Sequence, residues 1–284
     1  ETWLKLKEYL SSGYKKRKKA VKIMKLLFKT IIICLLFSNF LISQELIAEN
    51  RKSNPVTILF VGNSYIYYGD SLHNHFKRMV EEYLTDYDGG ASVKSATIGG
   101  SRLKHHDVER LIKPKAISSV KHFDLVILQG GSGETKNEAS RKEFSYFAKK
   151  HIDIVKENNS EAALYMTHAF VKPHEDYIEN QIKVIEETYT KAGIDNQVLV
   201  IPVGIAFDLA YKTKPNIQLH KSDGTHPNLL GTYLAACTVF ASIYDKSPIG
   251  IEYDYYGAIS KKDRDFLQKI AHQATSKYLN KNLN

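Results

Sequence analysis

Thr57-Ile58-Leu59-Phe60-Val61-Gly62-Asn63-Ser64 is the stretch on which the fold turns. Five β-branched or apolar residues in a row predict a buried strand, and Gly62-Asn63 breaks it. A serine follows at once. At the carboxyl end of a strand in an α/β chain, where ligands and chemistry collect, Ser64 stands where a nucleophile would. Read by itself, the octamer serves equally for a turn serine that caps the next segment.

Outward from this strand the chain alternates. After a polar leader ending at Pro55, Asp70 or Ser71 caps a helix to about Leu84, with Leu72, Phe76, Met79, Val80 and Tyr83 on one face. Asp86 to Gly90 reads as a turn, and Ala91–Thr97 as a second strand. The next segment, from Leu103 to about Val120, is predicted helical with a break near Pro114. Phe123–Leu128 is a third strand, and Asn137 to about Asn158 a long amphipathic helix. Strands at Ala163–Thr167 and Val198–Val203 enclose a helix from His174 to about Ala192. A short helix near Ile205–Tyr211, a core helix at Leu229–Tyr244 and a charged one at Lys261–Leu279 complete the order. Five strands alternating with helices predict an α/β fold, a parallel sheet covered on both faces with its strand ends on one rim. No repeat, low-complexity tract or second core interrupts residues 44–284, which read as one domain.

Of 284 residues, 43% are hydrophobic and 25% charged, an ordinary globular balance. The formal charge of +9 is local. Residues 1–43 hold ten Lys/Arg against Glu1 and Glu8. The other 241 residues carry 30 basic and 29 acidic groups, so the body is nearly neutral, its charge balance says nothing about a partner, and no nucleic acid is expected. Met24-Lys25 and Lys29 precede an apolar run from Ile31 to Ile42, then Ser43-Gln44: the layout of a secretory signal peptide. Export, to the periplasm or the medium, is the expectation. An uncleaved anchor is the alternative and the one route to a membrane; residues 1–23 precede a plausible start methionine. With Cys34 in the apolar run, a mature chain keeps Cys237 alone, so export brings no internal disulfide.

Three predicted strand ends carry glycine-rich loops: Gly62-Asn63-Ser64, Gly99-Gly100 and Gln129-Gly130-Gly131-Ser132. They are either ordinary strand–helix turns or backbone amides gathered around one developing oxyanion. Asp223-Gly224-Thr225-His226-Pro227 is sharper. A serine hydroxyl needs a base, histidine is the usual one, and its other nitrogen needs an acceptor. Asp223 can fold back across the glycine to supply it. Pro227 suits the first turn of the following helix. The bland alternative is a capping aspartate beside a surface histidine.

Together these blocks resemble the SGNH (GDSL-type) hydrolase superfamily, and in particular a bacterial branch whose first block reads Gly-Asn-Ser. The similarity runs from about Thr57 to Gly250. It implies a flavodoxin-like α/β/α sandwich and ester hydrolysis through an acyl-enzyme, with neither metal nor organic cofactor. By position, Ser64 would be the nucleophile, His226 the base and Asp223 its orienting carboxylate. Amides of Ser64 and Gly100 would form the oxyanion hole. The superfamily's third block supplies an asparagine donor, which is missing from Gln129–Gly133. Gln129 is the closest chemical substitute, with the Ser132 hydroxyl next.

His73 and His75, two apart on a helix, diverge and suit a metal poorly. His105-His106-Asp107 reads as surface polarity. His168, just past the fourth strand, serves equally as a pocket wall or a buried core histidine. Tyr65, Tyr67 and Tyr68 flank the serine, to stack on a sugar ring or to pack. The resulting expectation is an exported serine esterase acting on a small-molecule or glycan ester, such as O-acetyl groups. A non-catalytic glycan-binding module and an O-acyltransferase are the alternatives.

Overall fold

The computed structural model describes residue 24 and residues 54–284. The segment read as a signal peptide, apart from Met24, lies outside the described residues, and Cys34 with it. Residues 54–284 fall within one compact unit, Gln44–Asn284.

Five strands form its sheet: β1 (Ile58–Gly62), β2 (Val93–Thr97), β3 (Leu125–Gln129), β4 (Glu161–Tyr165) and β5 (Leu199–Ile201). Every pairing is parallel, in the order β2-β1-β3-β4-β5. That is the flavodoxin-like order of doubly wound folds. β1 and β3 lie inside the sheet and are buried at every residue, which is why both read as unbroken apolar runs. β2 forms an edge, and its polar residues are only partly covered.

The helices are α1 (Ser64–Tyr67), α2 (Leu72–Tyr83), α3 (Gly89–Ser92), α4 (Val108–Leu111) and α5 (Glu138–Glu157). They continue as α6 (Gln181–Asn196), α7 (Val203–Thr213), α8 (Leu229–Tyr244) and α9 (Lys261–Leu279). Right-handed crossovers send α2 to one face and α4, α5 and α6 to the other. α8 packs against both α2 and α9 on the first face. It is buried from Gly231 to Tyr244, all round, as a helix enclosed between a sheet and other helices must be. The free thiol of Cys237 lies within it.

Several expectations shift. The long helix foreseen for residues 103–120 is a 3-10 turn (Leu103–His105) followed by α4 alone, capped by the Asp107 carboxylate. Pro114 cannot donate to a continuing helix, and Lys115 and Ser118 take positive φ beyond it. α6 starts at Gln181 rather than His174. Asn180 is left-handed at its entrance, and the Gln181 side chain accepts the Phe170 amide at 2.9 Å, pinning the preceding loop. β4 begins two residues earlier than its apolar run, because pairing sets Glu161 opposite Leu125.

Candidate active site

Strand order reverses between β1 and β3, and at that switch point their carboxyl ends diverge to leave a crevice. Ser64 opens α1 directly after β1 and is buried. Asn63 organises this corner. Its Oδ1 accepts the Tyr65 amide at 3.0 Å, capping α1, and its Nδ2 donates to the Ser101 carbonyl at 2.9 Å. The second link ties the loop after β2 to the serine. Ser101 Oγ in turn reaches His106 Nε2 at 2.8 Å. His106 is therefore buried, not surface polarity, and burial lowers its pKa to about 4.

Gly100 has φ +66, a conformation that glycine takes without steric cost, and open space where a Cβ would stand. Among the described residues, neither its amide nor that of Ser64 donates an intramolecular hydrogen bond. Gln129 corrects the sequence expectation. Its Oε1 accepts the Asn63 amide at 2.8 Å and its Nε2 donates to the Gly130 carbonyl. The side chain is 1% exposed, so it brackets β1 to β3 and presents no donor to a substrate. Ser132 stands beside the Tyr65 hydroxyl.

Asp223 and His226 arrive on a hairpin from the other side of the crevice. His220 and Pro227 form an antiparallel bridge, and the Lys221 amide donates to the His226 carbonyl at 2.8 Å. Gly224 turns the tip with φ +69, and a Cβ there would meet the Val171 carbonyl at 2.2 Å. Asp223 Oδ1 accepts the amides of Thr225 and His226, each at 3.0 Å. Its Oδ2 accepts His226 Nδ1–H at 2.8 Å. An ionised carboxylate only accepts, so the ring proton belongs on Nδ1 and Nε2 is left to accept from Ser64 Oγ–H, at 2.9 Å. What burial Asp223 has opposes its charge; the Thr225 amide and the His226 ring and amide overcome it and hold the carboxyl down to about 2.

A brace joins the halves, with His168 as its member from outside both blocks. Tyr65 OH pairs with Thr225 Oγ1 at 2.7 Å, and His168 Nε2–H donates to the Thr225 carbonyl at 2.8 Å. The His168 ring is stacked between Tyr65 and Phe207, with centroids 4.2 and 4.4 Å away. Burial keeps this histidine neutral, well below its ordinary pKa, and pushes the Tyr65 phenol up to about 12. Of the two readings of His168, the buried one is the observed one. The hint in the sequence was its place just past a strand end; its partner Thr225 gave none.

Tyr68 lies with its ring centroid 4.2 Å from that of His226, and Tyr67 stacks on Tyr68 at 5.2 Å. His75 is buried, donating from Nε2 to the Gly69 carbonyl and accepting at Nδ1 from Tyr253 OH. Below the third glycine loop sits a carboxyl that sequence reading passed over. Glu134 is fully buried, accepting the Leu103 amide at 3.2 Å and the Gly131 amide. Burial outweighs both bonds and raises its pKa to about 7.

A hydroxyl, an imidazole and a carboxylate in one hydrogen-bonded chain, with two free amides nearby, can activate an oxygen nucleophile and receive an oxyanion. The sequence matches no known family profile and no curated protein. Solved structures do resemble it. A DUF4886 family protein from Bacteroides uniformis is similar with a TM-score of 0.59 at 16% identity, over 81% of this chain and 97% of that one. A protein from Slackia heliotrinireducens described as a candidate SGNH hydrolase gives 0.51 at 20% identity, over 66% and 99%. An acetyl xylan esterase gives 0.52 at 18% identity, over 66% and 100%. These likenesses show that the chain has the α/β fold of the SGNH hydrolases.

Proposed function

We propose that this protein is an exported serine esterase that removes small acyl groups, such as acetyl, from glycans. The observation that carries the reading is the continuous chain Asp223–His226–Ser64, linked at 2.8 and 2.9 Å. As Ser64 Oγ attacks the ester carbonyl carbon, His226 Nε2 takes its proton. The oxygen that becomes negative is met by the amides of Ser64 and Gly100. His226 then gives the proton to the departing alkoxide, leaving acyl-Ser64. Water repeats the sequence, with its proton passing through the same nitrogen, and frees the acid. Asp223 keeps the imidazole in its tautomer and steadies the imidazolium.

The substrate side rests on Tyr67 and Tyr68 beside the catalytic pair, as flat surfaces suited to a sugar ring, and on the acetyl xylan esterase among the structural likenesses. Export rests on the Met24–Ser43 layout. The buried Gln129 favours one further reading, a glycan-binding module without turnover, because its side chain is taken up by the Asn63 amide and the Gly130 carbonyl rather than offered to an oxyanion. A fluorophosphonate probe separates them. Labelling of the wild type that disappears in Ser64→Ala, with acetate released from acetylated xylan, is the expected result. No labelling and no hydrolysis of short-chain nitrophenyl esters would leave the binding module.

A further inference from the structure

Beside the His226 hairpin lies a cavity of about 430 Å³ that the bond-breaking steps leave unused. That is within the size range of small-ligand sites. Lys172, Tyr177, Tyr211, His220 and Lys221 are among its walls, and its lining includes two lysines and no carboxylate.

Their place in one cavity is what sets the two lysines apart. Some surface lysines, such as Lys136, Lys149, Lys191 and Lys212, are paired with carboxylates, whereas others, such as Lys150 over the Phe147 ring, are not. Among the described residues, Lys172 and Lys221 form no ion pair. Each instead stands over an aromatic face, Lys172 Nζ 5.6 Å from the Tyr177 ring centre and Lys221 Nζ 4.5 Å from that of Tyr68. A cation held over a ring keeps its N–H donors available to an incoming anion. The tyrosine faces meanwhile suit the C–H face of a pyranose.

Position links this cavity to the reacting centre. Lys221 donates its backbone amide to the His226 carbonyl, and His220 bridges to Pro227, so the cavity wall and the base share one hairpin. The Tyr68 ring under Lys221 also lies against His226.

We propose that this cavity is a subsite for an acidic sugar, a uronate unit of the glycan whose ester Ser64 cleaves. Lys172 and Lys221 meet the carboxylate, and Tyr177 and Tyr211 carry the ring. The relation to Ser64 rests on the esterase reading; the binding does not. Titration of Ser64→Ala protein with trigalacturonate and with neutral xylotriose therefore tests it without turnover.

Trigalacturonate is expected to bind at least roughly tenfold more tightly, a difference of about 1.4 kcal/mol. Lys172→Gln and Lys221→Gln should each lose roughly that factor for trigalacturonate while leaving xylotriose and the melting temperature unchanged. Raising salt to about 0.5 M should weaken the acidic oligosaccharide alone. Equal affinity for the two oligosaccharides, or trigalacturonate affinity untouched in both lysine variants, would overturn the proposal, as would no trigalacturonate binding at all. Fluorophosphonate labelling with no uronate binding sinks the subsite but keeps the esterase. Uronate binding without labelling does the reverse.

Discussion

Ser64 and His226 meet across 2.9 Å, yet different forces hold them there. The Ser64 side is built from buried polar groups. Asn63, Ser101, Gln129 and Glu134 are each less than 5% exposed; Asn63, Gln129 and Glu134 bind backbone atoms of neighbouring segments, and Ser101 reaches the His106 ring. The His226 side stands in water, with the Asp223 side chain 42% exposed. Its precision comes from a tight hairpin whose carboxylate collects two amides and a ring nitrogen. Buried brackets are costly to break because the orphaned partner stays dry. An exposed bracket, once broken, is rehydrated. The two halves should therefore fail differently: one chiefly through stability, the other chiefly through turnover.

The largest effects test the exposed half. On the esterase reading, His226→Ala should lower kcat by roughly a thousandfold or more, since among the described residues Ser64 Oγ is hydrogen-bonded to the His226 ring, the base proposed to take its proton. Asp223→Ala should cost less and leave measurable turnover, because Nε2 remains a base and only its tautomer and orientation are released. Each should move the urea midpoint less than the loss of a buried bracket does. Nitrophenyl acetate kinetics beside urea melts make the comparison, and unchanged turnover in His226→Ala would remove it from the role of base.

Asn63→Ala probes the buried half and should reverse the pattern. It strands the Ser101 carbonyl and the Tyr65 amide, at roughly 1–3 kcal/mol for each buried group left unpaired. The loop bearing Gly100 loses its tether as well, so on the esterase reading kcat should fall, by roughly tenfold to a hundredfold, with one proposed oxyanion donor displaced. A stability loss no larger than that of Asp223→Ala would erase the distinction between the halves.

How much of this could be read beforehand follows the same division. The hairpin's chemistry is local: Asp223 and His226 are three residues apart, and a glycine between them states the turn. Likewise α8 and α9 begin and end where their patterns do, since one is mostly apolar and the other is capped by the Ser260 side chain. The buried half depends on contacts between distant segments. Gln129 is 66 positions from the amide it binds, and His151, buried on α5, reaches back 48 to the Leu103 carbonyl. No spacing rule announces such partners, so Gln129 read as a donor to substrate and His106 as surface. The start of α6 was hidden for the same reason, being set by the Gln181–Phe170 contact rather than by propensity.

The smallest expected effect is a pH response of opposite sign in the two halves. Asp223 titrates near 2 when folded, below the roughly 3.9 of a free aspartate, so its contribution to stability is complete above about pH 4 and is lost as pH falls through about 2. Glu134 titrates near 7 when folded, above the roughly 4.3 of a free glutamate. The folded protein thus holds the proton more tightly, and the stability linked to Glu134 is complete below about pH 4 and lost as pH rises through about 7. Unfolding free energy measured between about pH 5 and 8 should decline in the wild type through this group, by on the order of 2–3 kcal/mol at most. Glu134→Gln has nothing to titrate there, so its profile should be flatter even though its absolute stability is lower. The flattening is the readout, because a merely structural role for Glu134 would shift the whole curve without changing its slope. Parallel profiles for the two proteins would mean that the buried carboxyl ionises normally and that the glycine loop above it is wetter than its contacts imply.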